Sequence, residues 1–137
     1  MRRGPGLYNG RYMSKRLHDS DEWGRQWFRR LSTDQKLLWL YIWDHCDCAG
    51  TWEIDFETFE FRTGIKFDDS VLSVFSDRCR VIGDYLFVFA MAVEYWGYLQ
   101  PTHKMYKPVS AALAKIGLTV EKLQKKPDKI NEIEVVI

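Results

Sequence analysis

Residues 31–54, LSTDQKLLWLYIWDHCDCAGTWEI, constrain the fold more than any other stretch. Ser32 is a good N-cap, and Gln35 three residues later completes a capping box, so a helix starts here. Leu37, Leu38, Tyr41, Ile42 and His45 recur on one helical stripe, while Trp39, Leu40 and Trp43 extend the apolar surface around the axis. Such a helix is expected to be mostly buried. At about 14 residues it is too short to span a bilayer, so it is read as the core of a small soluble domain. Six Trp, seven Tyr and eight Phe in 137 residues supply the aromatic mass to pack on it.

Around this helix the chain offers a succession of short elements. Residues 1–10, MRRGPGLYNG, read as a flexible basic arm. Arg11–Leu17 alternates like a short edge strand, and Asp21 precedes a turn or short helix from Glu22 to Arg30 with Trp23, Trp27 and Phe28 inward. After the central helix come a break at Gly50 and a β-type stretch, Thr51–Ile54. A helix capped by Asp55 and closed by Gly64 follows. A third helix is expected after Asp68, Asp69 or Ser70, with Val71, Leu72, Val74, Phe75 and Cys79 facing the core. Gly83-Asp84 between two β-rich runs predicts a two-residue hairpin of type I′ or II′. Met91–Leu99 is helical or irregular, and Lys107-Pro108 opens another helix that Gly117 closes. The remainder, 119–137, is a Lys-rich tail with an apolar end, Ile133–Ile137.

Helix, short strand, helix, helix, hairpin is the order of a winged helix-turn-helix, mostly α with a small β-hairpin. Asp21-Glu22, Leu31-Ser32, Lys36-Leu37-Leu38 and Leu40-Tyr41 carry a more specific likeness, continued by Asp44-x-Cys46-Asp47-x-Ala49-Gly50-x-Trp52-Glu53-Ile54-Asp55 and Thr63-Gly64. Phe75-x-Asp77-Arg78, Gly83-Asp84, Tyr95-x-Gly97-x-Leu99, Lys104, Lys107 and Leu113-x-Lys115 extend it. Over residues 11–118 the chain resembles the N-terminal winged-helix domains of phage and prophage replication proteins, of the replisome-organiser or replication-initiator type. The resemblance implies DNA, double-stranded by expectation, as partner, and a bacterial host cytoplasm as location. It also implies a role in replication initiation or its regulation. Larger members of that family carry a C-terminal region for helicase or loader contacts. This chain ends about 20 residues beyond the matching segment, which is the layout expected of a shortened version or a fragment.

Charge is unevenly distributed. Residues 1–31 carry eight Lys/Arg against three Asp/Glu, residues 32–100 five against twelve, and residues 101–137 seven against four. A nucleic-acid contact is therefore expected from the flanks as much as from the core. The candidate DNA-binding residues are Arg11, Lys15 and Arg16 before the core, Ser70, Ser73, Arg78 and Arg80 around the third helix, and Lys104 and Lys107 after the hairpin. Serines can reach phosphates or bases, and arginines phosphates or guanine edges. Asp68, Asp69, Asp77 and Asp84 in the same neighbourhood oppose phosphate. Arg78 can equally well pair with Asp77 or a carboxylate of the central helix. A competing reading makes the same fold a protein-interaction module. It would dock a replication partner or a second copy through an acidic face (Asp44, Asp47, Glu53, Glu57, Glu60) or through Ile133–Ile137.

His45-Cys46-Asp47-Cys48 with Cys79, and His18 or His103, could be read as a zinc site. C-x-C is, however, a poor spacing for tetrahedral ligation, and buried thiols explain the cysteines more simply. No cofactor or metal is expected. The sequence has no phosphate-cradling glycine loop, G-x-S-x-G or H-E-x-x-H motif, so the expectation is a binding protein rather than an enzyme.

Overall fold

The computed structural model describes residues 7–8, 11–12, 18 and 20–124, with the backbone alone for the first four. Leu7–Tyr8 (β1) and Arg11–Tyr12 (β2) form a two-stranded antiparallel ladder. A 3-10 turn, Glu22–Gly24, leads into the short helix α1, Gln26–Arg29, which buries Phe28. The central helix α2 spans Thr33–His45. Its expected capping box is present: Gln35 N–H donates to Ser32 Oγ (3.1 Å), and Ser32 N–H donates to Gln35 Oε1 (2.9 Å).

The buried face of α2 is Leu38, Trp39 and Ile42, continued by Cys46. Leu37, by contrast, is 42% exposed. Trp39 takes the place inside because it meets Trp27, Trp43 and Phe75 at ring separations of 5.0, 5.9 and 5.3 Å. Its indole N–H also donates to Glu22 Oε1 (3.2 Å). An indole buries more area than a leucine and satisfies its one donor here, so the helix rotates to suit it.

Strand β3 (Thr51–Glu53), helix α3 (Phe56–Thr63), the 3-10 helix Asp69–Phe75, and strands β4 (Arg80–Ile82) and β5 (Tyr85–Phe87) follow. The strands make one antiparallel sheet in the order β3-β5-β4. Ile82 pairs with Tyr85, so Gly83-Asp84 is a two-residue turn, and Gly83 takes the left-handed φ of 60° that either expected turn type requires at its first position. The result is an α+β fold.

The third helical segment is 3-10 rather than α-helical. Its hydroxyls compete for the backbone: Ser70 Oγ–H donates to the Asp68 carboxylate, and Ser73 Oγ–H donates to Ser70 O (3.0 Å). Asp68 is the cap, accepting Ser70 N–H at 2.9 Å. Val71, Leu72 and Phe75 are buried, while Val74 is 40% exposed.

Helices α4 (Phe89–Trp96) and α5 (Tyr106–Ala114) then pack with a final 3-10 turn, Val120–Leu123. Pro108 is the third residue of α5, not the first. Gly117 stands just past its end, where Leu118 N–H bonds Leu113 O (3.0 Å) and Gly117 N–H bonds Ala114 O (3.1 Å), a Schellman closure.

Two apolar clusters result. The first gathers Phe28, Leu38, Trp39, Ile42, Phe59, Leu72, Phe75 and Leu86 from α1, α2, α3, the 3-10 helix and the sheet. The second joins Phe87 to Val93, Val109, Leu113, Val120 and Leu123 from α4, α5 and the last turn. Residues 119–124 thus pack onto the body. The tail Ile133–Ile137, and Lys15 and Arg16, lie outside the described residues. Among those described, no helix is long and apolar enough to cross a membrane.

Candidate nucleic-acid interface

The structure places the predicted contact residues in very different settings. Ser70 and Ser73 are exposed along the 3-10 helix Asp69–Phe75, but each hydroxyl already serves the local backbone or the Asp68 cap. A hydroxyl that donates locally still has lone pairs to offer. Facing phosphate, though, it must give up the local bond.

Arg78 is half-buried, with its guanidinium 4.1 Å over the Trp27 ring. Its Nε is buried and has no hydrogen-bond partner within the protein. Burial lowers the Arg78 pKa from the usual guanidinium range, the Glu22 carboxylate acts against that, and Arg25 adds to it. Its charge is balanced by Glu22 on the short 3-10 turn as well as by Asp77, not by a carboxylate of α2. Arg80 is exposed, and its Nη1 donates to Ser76 O (2.9 Å) and Cys79 O (3.4 Å) while the guanidinium lies 5.1 Å from the Phe89 ring. It closes the C-terminal end of the 3-10 segment. The stacking of Arg78 on Trp27 and the capping by Arg80 are structural duties that the sequence alone did not assign.

Lys104 and Lys107 are exposed at the start of α5, on the second apolar cluster. Arg11 lies in β2. A contact that joins the N-terminal side of the chain to the segment after the 3-10 helix is made by Trp27, whose ring lies 4.1 Å from the Arg78 guanidinium. Arg25, Arg29 and Arg30 are exposed and form a basic run, RQWFRR, that sequence reasoning counted in the charge but did not nominate.

The acidic face is also partly committed. Asp47 accepts Ala49 N–H (3.0 Å), Thr51 N–H (2.9 Å), the Thr51 hydroxyl and Lys115 Nζ (2.8 Å). Burial pushes its carboxyl up, but the bonds from Lys115 and Thr51 outweigh burial and hold the pKa below the usual carboxylate value. Asp44 is engaged by His18 at 2.9 Å. Glu57 and Glu60 are exposed on α3 beside Phe61, which is 90% exposed.

The cysteines divide by burial. Cys46 and Cys79 are buried, and Cys79 is pushed well above the usual thiol range, mainly by burial and then by Cys46. His45 is turned toward Tyr41 and Arg62: its Nδ1–H donates to Tyr41 O (2.8 Å) and its Nε2 accepts from Arg62 Nη1 (2.9 Å). Among the described residues no three His, Cys, Asp or Glu side chains converge as metal ligands would.

No family model matches the chain, and no curated protein or solved structure matches it.

Proposed function

We propose that the chain is a winged-helix, nucleic-acid-binding protein of the phage replication-initiator kind, acting at or regulating replication initiation. The observation that carries this reading is the sheet order β3-β5-β4. The strand after the central helix pairs with the second strand of a hairpin, and the hairpin follows two successive helical segments. That order supports a helix-turn-helix with a wing. In this reading the Asp69–Phe75 segment and the β4–β5 hairpin face the duplex. Ser70, Ser73 and Arg80 lie nearest, Arg78 holds the Trp27 layer in place behind them, and phosphate contacts come from Arg11, Lys15 and Arg16 with Lys104 and Lys107. Such a surface binds weakly and with strong salt dependence, because the carboxylates around it oppose counterion release.

Fluorescence anisotropy of a labelled duplex pool at about 50 mM salt tests this, with saturation at micromolar protein expected. The joint change of Arg11, Lys15 and Arg16 to Ala is expected to weaken binding at least tenfold at unchanged melting temperature. Absence of binding at tens of micromolar protein rejects the reading.

A second reading, a protein-interaction module, is favoured by one observation: Phe61 stands 90% exposed on α3 beside Glu57 and Glu60. An aromatic side chain left in water inside an acidic surface suits a partner with an apolar pocket and a basic rim. Light scattering of the Phe61→Ser variant against the parent chain separates self-association through this site from a monomer.

A further inference from the structure

The cluster of indoles on one side of α2 encloses a small cavity of about 40 Å³, lined by His18, Glu22, Trp23, Trp39, Leu40 and Trp43. We infer that it is a binding site for a compact organic cation, the head of an alkylammonium or methylated lysine side chain, held between indole rings and the Glu22 carboxylate. The inference is independent of DNA binding.

Three observations lead to it. The first is the lining. Three tryptophans from two elements bound one cavity, with a carboxylate on one wall and Leu40 as the apolar remainder. Indole faces are the strongest cation-π acceptors among side chains, and rings gathered around a small space are how quaternary ammonium groups are recognised. The second is size. A single water needs about 10–15 Å³ of such space, so the cavity admits a group of a few heavy atoms and nothing larger. Trp23, 60% exposed, forms its outer wall and gives a ligand tail a way out to solvent.

The third is precedent within the chain. The same aromatic cluster already holds two cations of its own: the Arg78 guanidinium lies 4.1 Å over Trp27, and Lys36 Nζ lies 5.8 Å from the Phe28 ring centroid. Glu22 serves several of these groups. Its Oε1 accepts the Trp39 indole N–H (3.2 Å), its Oε2 lies 3.6 Å from Arg25, and its charge faces Arg78. These bonds fix the carboxylate as part of the wall. His18, on the cavity wall, is itself held by Asp44 at 2.9 Å. An anionic ligand would meet the Glu22 carboxylate. A neutral apolar one would lose the ring quadrupole attraction that a cation gains.

The test is a titration of the full chain followed by the indole N–H resonances in ¹H–¹⁵N spectra. The probes are choline, methylammonium, a peptide bearing one trimethyllysine, and the neutral carbon isostere of choline. Saturable shifts of the Trp23, Trp39 and Trp43 signals are expected in the millimolar range, with the neutral isostere about tenfold weaker. Trp23→Ala should abolish the shifts of the other two indoles while melting within a few degrees of the parent, since its ring is mostly in water. Glu22→Gln keeps an acceptor for Trp39 and should weaken the cations but not the isostere. If the peptide binds tightest, the natural source is a protein side chain; if choline does, a free metabolite. Equal binding of the neutral isostere, or no saturable indole shift with any cation, overturns the proposal and leaves a cavity that holds water only.

Discussion

Asp47 shows how one side chain can join three elements. It ends the α2 turn, accepts both the N–H and the hydroxyl of Thr51 at the start of β3, and takes Lys115 from beyond α5. Asp47→Asn removes the charge and the strongest of these bonds. The expected loss is about 1–2 kcal/mol, read as a drop of several degrees in melting temperature at neutral pH. The direction with pH follows from the depressed carboxyl and the raised Lys115 amine. Because the folded carboxyl titrates below its unfolded value, its contribution is complete above the ordinary carboxylate range, about pH 4. It is lost as pH falls through the lower folded value. The gap between parent and Asp47→Asn should therefore close in acid melts and stay open at pH 7; a gap that widens in acid contradicts the assignment. Gly50, three residues on, has φ +84°, and a Cβ there would lie 3.0 Å from Val88 O, whose own N–H bonds Gly50 O at 2.8 Å. Gly50→Ala combines a left-handed backbone with this contact, so an equilibrium denaturation should show a loss of about 2 kcal/mol.

Among the elements, those whose cause is local were readable in advance. Ser32 and Gln35 box the start of α2, Asp55 caps α3, and Gly83-Asp84 makes the hairpin, because each needs only neighbours in sequence. The face of α2 was not readable. Leu37 to Trp43 is apolar all round, so periodicity offers no direction and the distant partners Trp27 and Phe75 choose it. The same applies to the third helical segment, where two serines and two valines tip a short run into 3-10 geometry. Arg78 was legible as a cation but not as a stacked one, because Trp27 lies far away along the chain. Its role gives a test at this scale. Arg78→Ala uncovers the Trp27 face and should cost about 1–2 kcal/mol, and Arg78→Lys should restore only part of it, since an ammonium cannot stack as a plane. If both variants melt like the parent, the guanidinium is not part of the packing.

At the scale of the whole molecule the chain is two apolar clusters sharing one small sheet, with Phe87 of β5 in one and Leu86 in the other. Within the second cluster, Trp96 N–H donates to Cys48 O at 2.6 Å, and Asp47, one residue before Cys48, pairs with Lys115. A shared strand couples the clusters, so a cavity in the second should be felt by the first. Leu123→Ala, at a fully buried site in the last turn, is expected to cost about 2–4 kcal/mol. Far-UV circular dichroism and tryptophan fluorescence should still report a single coincident transition; two separated transitions would mean that the clusters unfold independently. Basic flanks around an acidic middle set the solution behaviour in the same way, by field rather than by pair, and any duplex affinity should fall steeply as salt is raised.

The three-stranded sheet also bears on aggregation. One outer strand, β3, has its first residue tied up, because Asp47 N–H bonds Thr51 O (2.9 Å) and the Asp47 carboxylate takes Thr51 N–H. The other, β4, is three residues long and bracketed by Arg80 and Asp84, although Val81 is 57% exposed. Unpaired edges of this kind are where foreign strands add and fibrils begin, and proteins blunt them by keeping them short and charged. An incoming strand would find too few ladder bonds at β4 to hold it. Arg80→Val, which removes a charge from that edge, is therefore expected to raise the tendency of this sheet to seed fibrils.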